Sequence, residues 1–183
     1  ADWNGLMISA LAEAGMVFGE PHWIDLAASA FAFIRRNMIR DGRLYHAWRD
    51  GKLAHPATLD DHADLARAAL FLHEATGEPQ HLDAARDFVA LLDAHFWDTE
   101  NGGYFMTAHD TRDMVIRPKS ASDNAVPNGN GVMVEVLARL AHLTGDPRYE
   151  DRARANVAAF AGEVERNCFP LAPYFNANAF LGH

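Results

Sequence analysis

Gly19-Glu20-Pro21, Gly77-Glu78-Pro79 and Gly145-Asp146-Pro147 recur along the chain, and each closes one helix-like apolar run and opens another. Glycine suits the left-handed position just past a helix, and the acidic residue can cap the next one. Proline is tolerated at a first helical position, because its missing N–H would be unpaired there anyway. The pattern predicts three helical hairpins in series, at about residues 3–40, 60–97 and 128–166. The glycines stand 58 and then 68 positions apart, a repeat-like spacing with a variable insertion after each of the first two hairpins.

Aligning the repeats on these glycines places Asp2, Asp60 and Asn128 at one position and Asn4, His62 and Asn130 two residues later. The runs behind them, Leu6 to Phe18, Leu65 to Thr76 and Val132 to Thr144, are apolar around most of the helix, with Met7, Leu65 and Met133 in equivalent places. Helices of that kind are buried. The second helix of each hairpin carries a single apolar stripe instead: Ile24, Ala27, Phe31 and Ile34, then Leu82, Ala85, Val89 and Leu92, then Ala153, Val157 and Phe160. Buried first helices alternating with one-faced second helices predict two layers, the plan of an α/α toroid or an α-solenoid.

The inserts separate these two folds. Asp50-Gly51 between Tyr45-His46-Ala47-Trp48-Arg49 and Lys52-Leu53-Ala54 is a two-residue β-hairpin signal. After the second hairpin, Asn101-Gly102-Gly103 precedes Tyr104-Phe105-Met106-Thr107, with Met114 to Arg117 as the expected partner strand. Plain solenoids keep such links short, whereas toroids of the sugar-processing kind decorate this end and bind ligand there. The expected fold is all-α, a toroid segment of three hairpins with short β-hairpin inserts.

Composition narrows the function. The chain has 183 residues, 49% of them apolar, which is ordinary globular material and one domain by default. Lys+Arg of 16 against Asp+Glu of 25 leaves a net charge of −9, which argues against a nucleic-acid partner. No apolar stretch reaches the roughly 18–20 residues of a membrane span, and no signal-peptide layout opens the chain, so a soluble cytoplasmic protein is expected. The single cysteine, Cys168, excludes an internal disulfide and lacks the partners of a zinc or redox site. No spaced metal-ligand set and no phosphate-type glycine loop appear, so neither metal nor cofactor is expected. The chain starts at Ala1, almost on top of the Trp3-Asn4 motif, and reads as part of something longer.

Aromatic, amide and charged side chains gather at the decorated end: Trp3, Asn4, Trp48, Asp60, Tyr104, Arg117, Lys119, Asp123, Asn128 and Asn130. Flat rings beside planar amides suit a polyhydroxylated ligand, since sugar C–H faces lie on rings while hydroxyls take hydrogen bonds. These ten are the candidate substrate-binding residues. Asp61 and His62 are the candidate catalytic pair, because a carboxyl crowded by its neighbour and by burial can serve as a general acid or base. A plainer role stands beside each: Asp2, Asp60 and Asn128 fall where helices begin and can be N-caps worth about 1 kcal/mol, and Trp3, Trp48 and His62 can be packing residues.

Trp3-Asn4-Gly5-Leu6, Trp48-Arg49-Asp50-Gly51, Asp60-Asp61-His62-Ala63, Phe96-Trp97-Asp98 with Gly102-Gly103-Tyr104-Phe105, and Arg117-Pro118-Lys119 leading to Pro127-Asn128-Gly129-Asn130 together resemble the thioredoxin-domain-containing family of the spermatogenesis-associated protein 20 type. The resemblance runs over almost the whole chain in conserved order. It implies part of a helical toroid related to six-hairpin glycosidases and N-acylglucosamine 2-epimerases, without the family's thioredoxin-like domain and its cysteines. His62 stands where the family pattern has tyrosine. Three hairpins are half of a six-hairpin ring, and the resulting open apolar sides predict self-association. The expected function is a carbohydrate-active or carbohydrate-binding segment, glycosidase-like or epimerase-like, that takes a sugar-like small molecule. The alternative is a non-catalytic scaffold that binds a protein on its concave face.

Overall fold

The computed structural model describes residues 1–112, 114–167 and 169–181; Cys168 lies outside the described residues. Among the described residues, eight helices and three short strands follow one another as α1 (Asp2–Phe18), α2 (Pro21–Asn37), β1 (Ile39–Arg40), β2 (Arg43–Arg49), β3 (Lys52–Pro56), α3 (Leu59–Thr76), α4 (Pro79–His95), α5 (Gly129–Thr144), α6 (Pro147–Ala159), α7 (Ala161–Arg166) and α8 (Ala172–Leu181). They form two compact units, Ala1–Ala90 and Leu91–His183.

The breakpoints act as the repeat predicts. Gly19, Gly77 and Gly145 hold φ of 69°, 70° and 68°, and their N–H groups close the helices onto Gly15, His73 and Ala141. An L-residue with a side chain would be strained in that conformation. The acidic partner behaves less uniformly. Asp146 accepts from the Arg148 N–H, but Glu20 makes no side-chain cap bond.

In the first unit α1 packs on α2 and α3, and the contact with α3 is close. A Cβ at Gly5 would stand 2.8 Å from the Asp64 backbone carbon, so the absence of a side chain is what lets the two helices meet. α3 is buried from Leu59 through most of its length, whereas α2 buries one stripe, Ala27, Phe31 and Ile34. Phe31 meets Phe88 of α4 edge-on, 6.5 Å between centroids. Leu65 and Met133 are fully buried as the alignment expects. Their counterpart Met7 is 60% exposed, because it lies on the side of α1 opposite the buried face of Gly5, Ile8 and Ala12.

β1, β2 and β3 form an antiparallel meander, with Arg49 opposite Lys52 across the Asp50-Gly51 turn. Both turn residues have positive φ, 50° and 76°, the signature of the tight turn that matches strand twist.

In the second unit α5 packs against α6 and α8. The outer helix of this hairpin does not run unbroken to residue 166: it breaks at Phe160 into α6 and α7, and Phe160 joins Ala121, Leu171 and Tyr174 in a small core. The segment after α4 is a tight turn, with the Asp98 N–H on the Gly103 carbonyl and the Phe105 N–H on the Phe96 carbonyl. Met114 to Arg117 is not a strand. The Met106 N–H reaches across to the Pro118 carbonyl and the Arg117 side chain to the Thr107 carbonyl, but Val115 is 97% exposed and residues 114–117 join no sheet among the described residues.

Candidate functional site

The richest constellation lies in the first unit where α1, β2 and the start of α3 meet. Thr58 and Asp61 form a reciprocal capping box: the Asp61 carboxylate accepts from the Thr58 N–H at 2.8 Å and from its hydroxyl at 3.0 Å. The cap is therefore Thr58, not Asp60, and α1 starts with Ala1 as its N-cap rather than Asp2. Asn128 caps α5 as expected, accepting from the Asn130 N–H.

Asp61, fully buried, also accepts from the Asp2 N–H at 2.9 Å and from His46 Nδ1 at 2.9 Å. Burial pushes its carboxyl up, but the amino group of Ala1, the Thr58 N–H and the His46 N–H outweigh this and hold it at about 2. Because an ionised carboxylate can only accept, His46 Nδ1 carries the proton. In the neutral ring, Nε2 is then left as the acceptor. His46 was not among the residues picked out from sequence; its partner lies 15 positions away, and only the β2–β3 insert brings the two together.

His46 stands in the wall of a cleft of about 490 Å³, lined also by Asn4, Phe33, Ile34, Met38 and Trp48. Trp48 meets Phe33 edge to face with centroids 5.2 Å apart, which fixes the indole against the cleft. Of the expected ligand-binding residues in this unit, Asn4 and Trp48 line the cleft and Trp3 and Asp60 do not. His62 points elsewhere. It is 2% exposed, its Nδ1–H donates to the Thr58 carbonyl at 2.7 Å, and its ring packs on Phe88.

Asp2, His46 and Asp61 bring three potential metal-ligand atoms within 4.8 Å of one another, a grouping that sequence spacing does not reveal. The Asp61 oxygens in that group already accept from the Asp2 and Thr58 N–H groups, the Thr58 hydroxyl and His46, and Oδ1 lies 2.9 Å from the Ala1 nitrogen. One turn further along α3, Asp64 is also fully buried, with Oδ1 3.2 Å from Arg67 and Oδ2 without a hydrogen-bond partner. Burial, reinforced by Asp60, Asp2 and Asp61 and only partly offset by Arg67, raises its carboxyl to about 7.

In the second unit the expected ligand residues hold the backbone of the 97–128 segment. Asn130 accepts from the Tyr104 N–H and donates to the Tyr104 and Ser120 carbonyls. Tyr104 is buried, and its hydroxyl donates to Asp93 at 2.8 Å. Arg117 donates to the carbonyls of Thr107 and His95 and lies 4.1 Å from the Phe105 ring centroid. Lys119 donates to Asp98 at 2.6 Å and to the Gly102 carbonyl, which holds the Asp98 carboxyl well below the ordinary range. Asp123 accepts from the Asn128 N–H. Lys119 also borders an open pocket of about 340 Å³ with Ser120, Ser122, Glu163 and Arg166. Among the described residues, no helix is long and apolar enough to cross a membrane.

Residues 5–178 match the family described as N-acylglucosamine 2-epimerase (GlcNAc 2-epimerase). Spermatogenesis-associated protein 20 of Rattus norvegicus is 33% identical over 177 residues, 91% of this chain but 22% of that protein. The chain thus spans under a quarter of the length of this curated relative. An alpha-mannanase of Bacteroides thetaiotaomicron superposes with a TM-score of 0.72 at 18% identity, covering 88% of this chain and 44% of that one. The cellobiose 2-epimerase of Spirochaeta thermophila gives 0.69 at 17% identity, covering 90% and 43%. The fold is that of the α/α-toroid glycosidases and epimerases.

Proposed function

The chain belongs to the N-acylglucosamine 2-epimerase family, and we propose that it is a carbohydrate-active segment whose first unit binds a sugar in the cleft between Asn4 and Trp48. One observation carries this reading: an imidazole held by a buried carboxylate, His46 on Asp61, stands in the wall of a ring-lined cleft large enough for a sugar residue. A pyranose laid with its C–H face on the Trp48 indole would present hydroxyls to the Asn4 amide and to His46 Nε2. With Nδ1–H anchored on Asp61, His46 is equipped to take a proton from a bound hydroxyl, and Asp61 stabilises the imidazolium that forms.

Asp61 therefore acts through His46 as a positioning residue. His62 packs against Phe88 and takes no part in the cleft.

The test is a thermal-shift and calorimetric screen of neutral mono- and disaccharides against the chain and its Trp48→Ala and Asn4→Ala variants. A sugar at 100 times its Kd would stabilise the fold by about 2.7 kcal/mol. The variants should keep the unliganded melting temperature and lose the shift. If no sugar raises the melting temperature and Trp48→Ala lowers it, the indole is a packing residue and the scaffold reading replaces this one.

A further inference from the structure

The same four-residue turn closes strand β2 at both ends: Arg40-Asp41-Gly42-Arg43 leads into it and Arg49-Asp50-Gly51-Lys52 leads out. Asp41 and Gly42 hold φ of 51° and 73°, and Asp50 and Gly51 hold 50° and 76°. Asp and Gly are what a tight turn with positive φ selects. The flanking cations are not. The turn asks nothing of them, and the register sets Arg40 directly opposite Arg43 and Arg49 directly opposite Lys52. Like charges at directly opposed positions weaken a ladder. Stability therefore does not explain two such placements on one strand.

Alternation puts Leu44, His46 and Trp48 on one side of β2, the side that meets Asp61 and the cleft. Arg43, Tyr45 and Arg49 fall on the other. The two cation pairs thus stand about 20 Å apart along the strand with a ring between them. Arg40, Arg49 and Lys52 are exposed. Among the described residues, no carboxylate pairs with Arg40 or Lys52. Arg49 lies 3.6 Å from Asp50, but with side chains 92% and 88% exposed that pair is screened by water.

The charge around these turns is unlike that of the rest of the chain. Residues 35–56 hold six of the 16 Lys+Arg and two of the 25 Asp+Glu, a net +4 in a chain of −9. An anionic occupant is complementary to this face, and the guanidinium fork suits carboxylate and sulfate oxygens. The acidic remainder of the chain repels a polymer as densely charged as a nucleic acid, whereas a saccharide can carry its anions sparsely.

We propose that the Arg40, Arg43, Arg49 and Lys52 ladder binds an anionic saccharide, one with carboxylate or sulfate groups along its chain. The cleft holds one sugar unit, and a chain continuing past Trp48 meets the Arg49 and Lys52 pair at the next position of the strand. The proposal rests on the sugar reading of the cleft.

The probes are a fluorescent dextran oligosaccharide, its sulfated form, and an oligothymidylate and an oligoglutamate of matched charge, all read by anisotropy. Sulfated dextran should bind about tenfold or more tighter than neutral dextran at low salt, and the gain should shrink at about 1 M salt, where the screening length falls to about 3 Å. Arg40→Gln with Lys52→Gln takes one cation from each pair. It should remove most of that gain, lower the salt slope by about two, and leave the melting temperature unchanged or slightly raised, since opposed like charges are relieved. Trp48→Ala should weaken both dextrans alike and preserve their ratio. Absence of a gain on sulfation would overturn the ladder, and neutral dextran still binding through Trp48 would leave the cleft reading intact. A gain that survives the double substitution would overturn it as well. So would oligothymidylate or oligoglutamate binding as tightly as sulfated dextran, because the face would then hold any polyanion. A sulfation gain that the double substitution removes, with Trp48→Ala without effect, would keep the ladder and sink the cleft.

Discussion

Asp61 and His46 share a hydrogen bond of 2.9 Å that ties the first turn of α3 to the middle of β2. The same carboxylate closes the capping box with Thr58, so one side chain both starts a helix and aims a ring.

Replacing Asp61 with Asn should therefore have two separable effects. Loss of the charge-assisted bonds should lower stability by about 2–3 kcal/mol in urea unfolding. The nitrogen chemical shifts of His46 should show that the Nδ1–H tautomer is no longer dominant. Thr58→Ala removes only one partner and should cost about 1 kcal/mol while leaving the His46 tautomer unchanged.

Asp64 should make the fold less stable as pH rises. Its folded carboxyl titrates at about 7 against an ordinary 3.8, so between these values the folded protein holds a proton that the unfolded chain has lost. The contribution is fully present below about pH 4, falls through pH 7 and then levels. Melting curves from pH 5 to pH 8 should show a downward slope that Asp64→Asn flattens; a slope identical in the variant would contradict the assignment.

Asp98 should work in the opposite sense. Lys119 favours its ionised form, so its contribution is present above the ordinary carboxylate value and is lost as pH falls below it. Lys119→Met should move the acid-unfolding midpoint of the second unit upward, which circular dichroism below pH 5 would follow.

Gly5→Ala should destabilise despite alanine's better helix propensity, because the new Cβ meets Asp64 backbone and Cβ atoms at 2.8 Å. Forcing α1 and α3 apart should cost about 1–3 kcal/mol, more than the roughly 1 kcal/mol the propensity returns. An unchanged urea midpoint would mean the helices shift freely.

Tyr104→Phe removes the buried hydroxyl that donates to Asp93. About 1–2 kcal/mol should be lost, and the Asp93 carboxyl, already raised by burial, should rise further with only Arg152 left to oppose it. Carbon-detected titration of Asp93 would read this directly.

The hairpins were legible because their signals are local: a glycine in the left-handed conformation and a proline two residues on need nothing from the rest of the chain. The Asp50-Gly51 turn was legible for the same reason. Helix starts were harder. Thr58 and Asp61 stand at capping-box spacing, yet alignment on the glycines put the boundary at Asp60, two residues late. Met114 to Arg117 is an apolar, β-branched run of strand-like composition, but a strand also needs a partner edge, and composition carries no information about one. Arg117, Lys119 and Asn130 look like ligand residues in composition and bond to backbone carbonyls in the fold, while the Tyr104 hydroxyl bonds to Asp93. Their partners lie at separations that no spacing rule reaches, up to 26 positions between Asn130 and Tyr104. His46 escaped for the converse reason, since an isolated histidine in a strand is unremarkable until Asp61 folds beneath it.

The glycines that close the three hairpins have no atom within 4 Å of where a side chain would begin. Those tips are consequently permissive ground: a tag, a fluorophore or a grafted loop beside Gly19 or Gly77 would meet solvent instead of protein. Such a graft leaves the strand-bearing end of the first unit untouched, so recognition and attachment can be engineered separately.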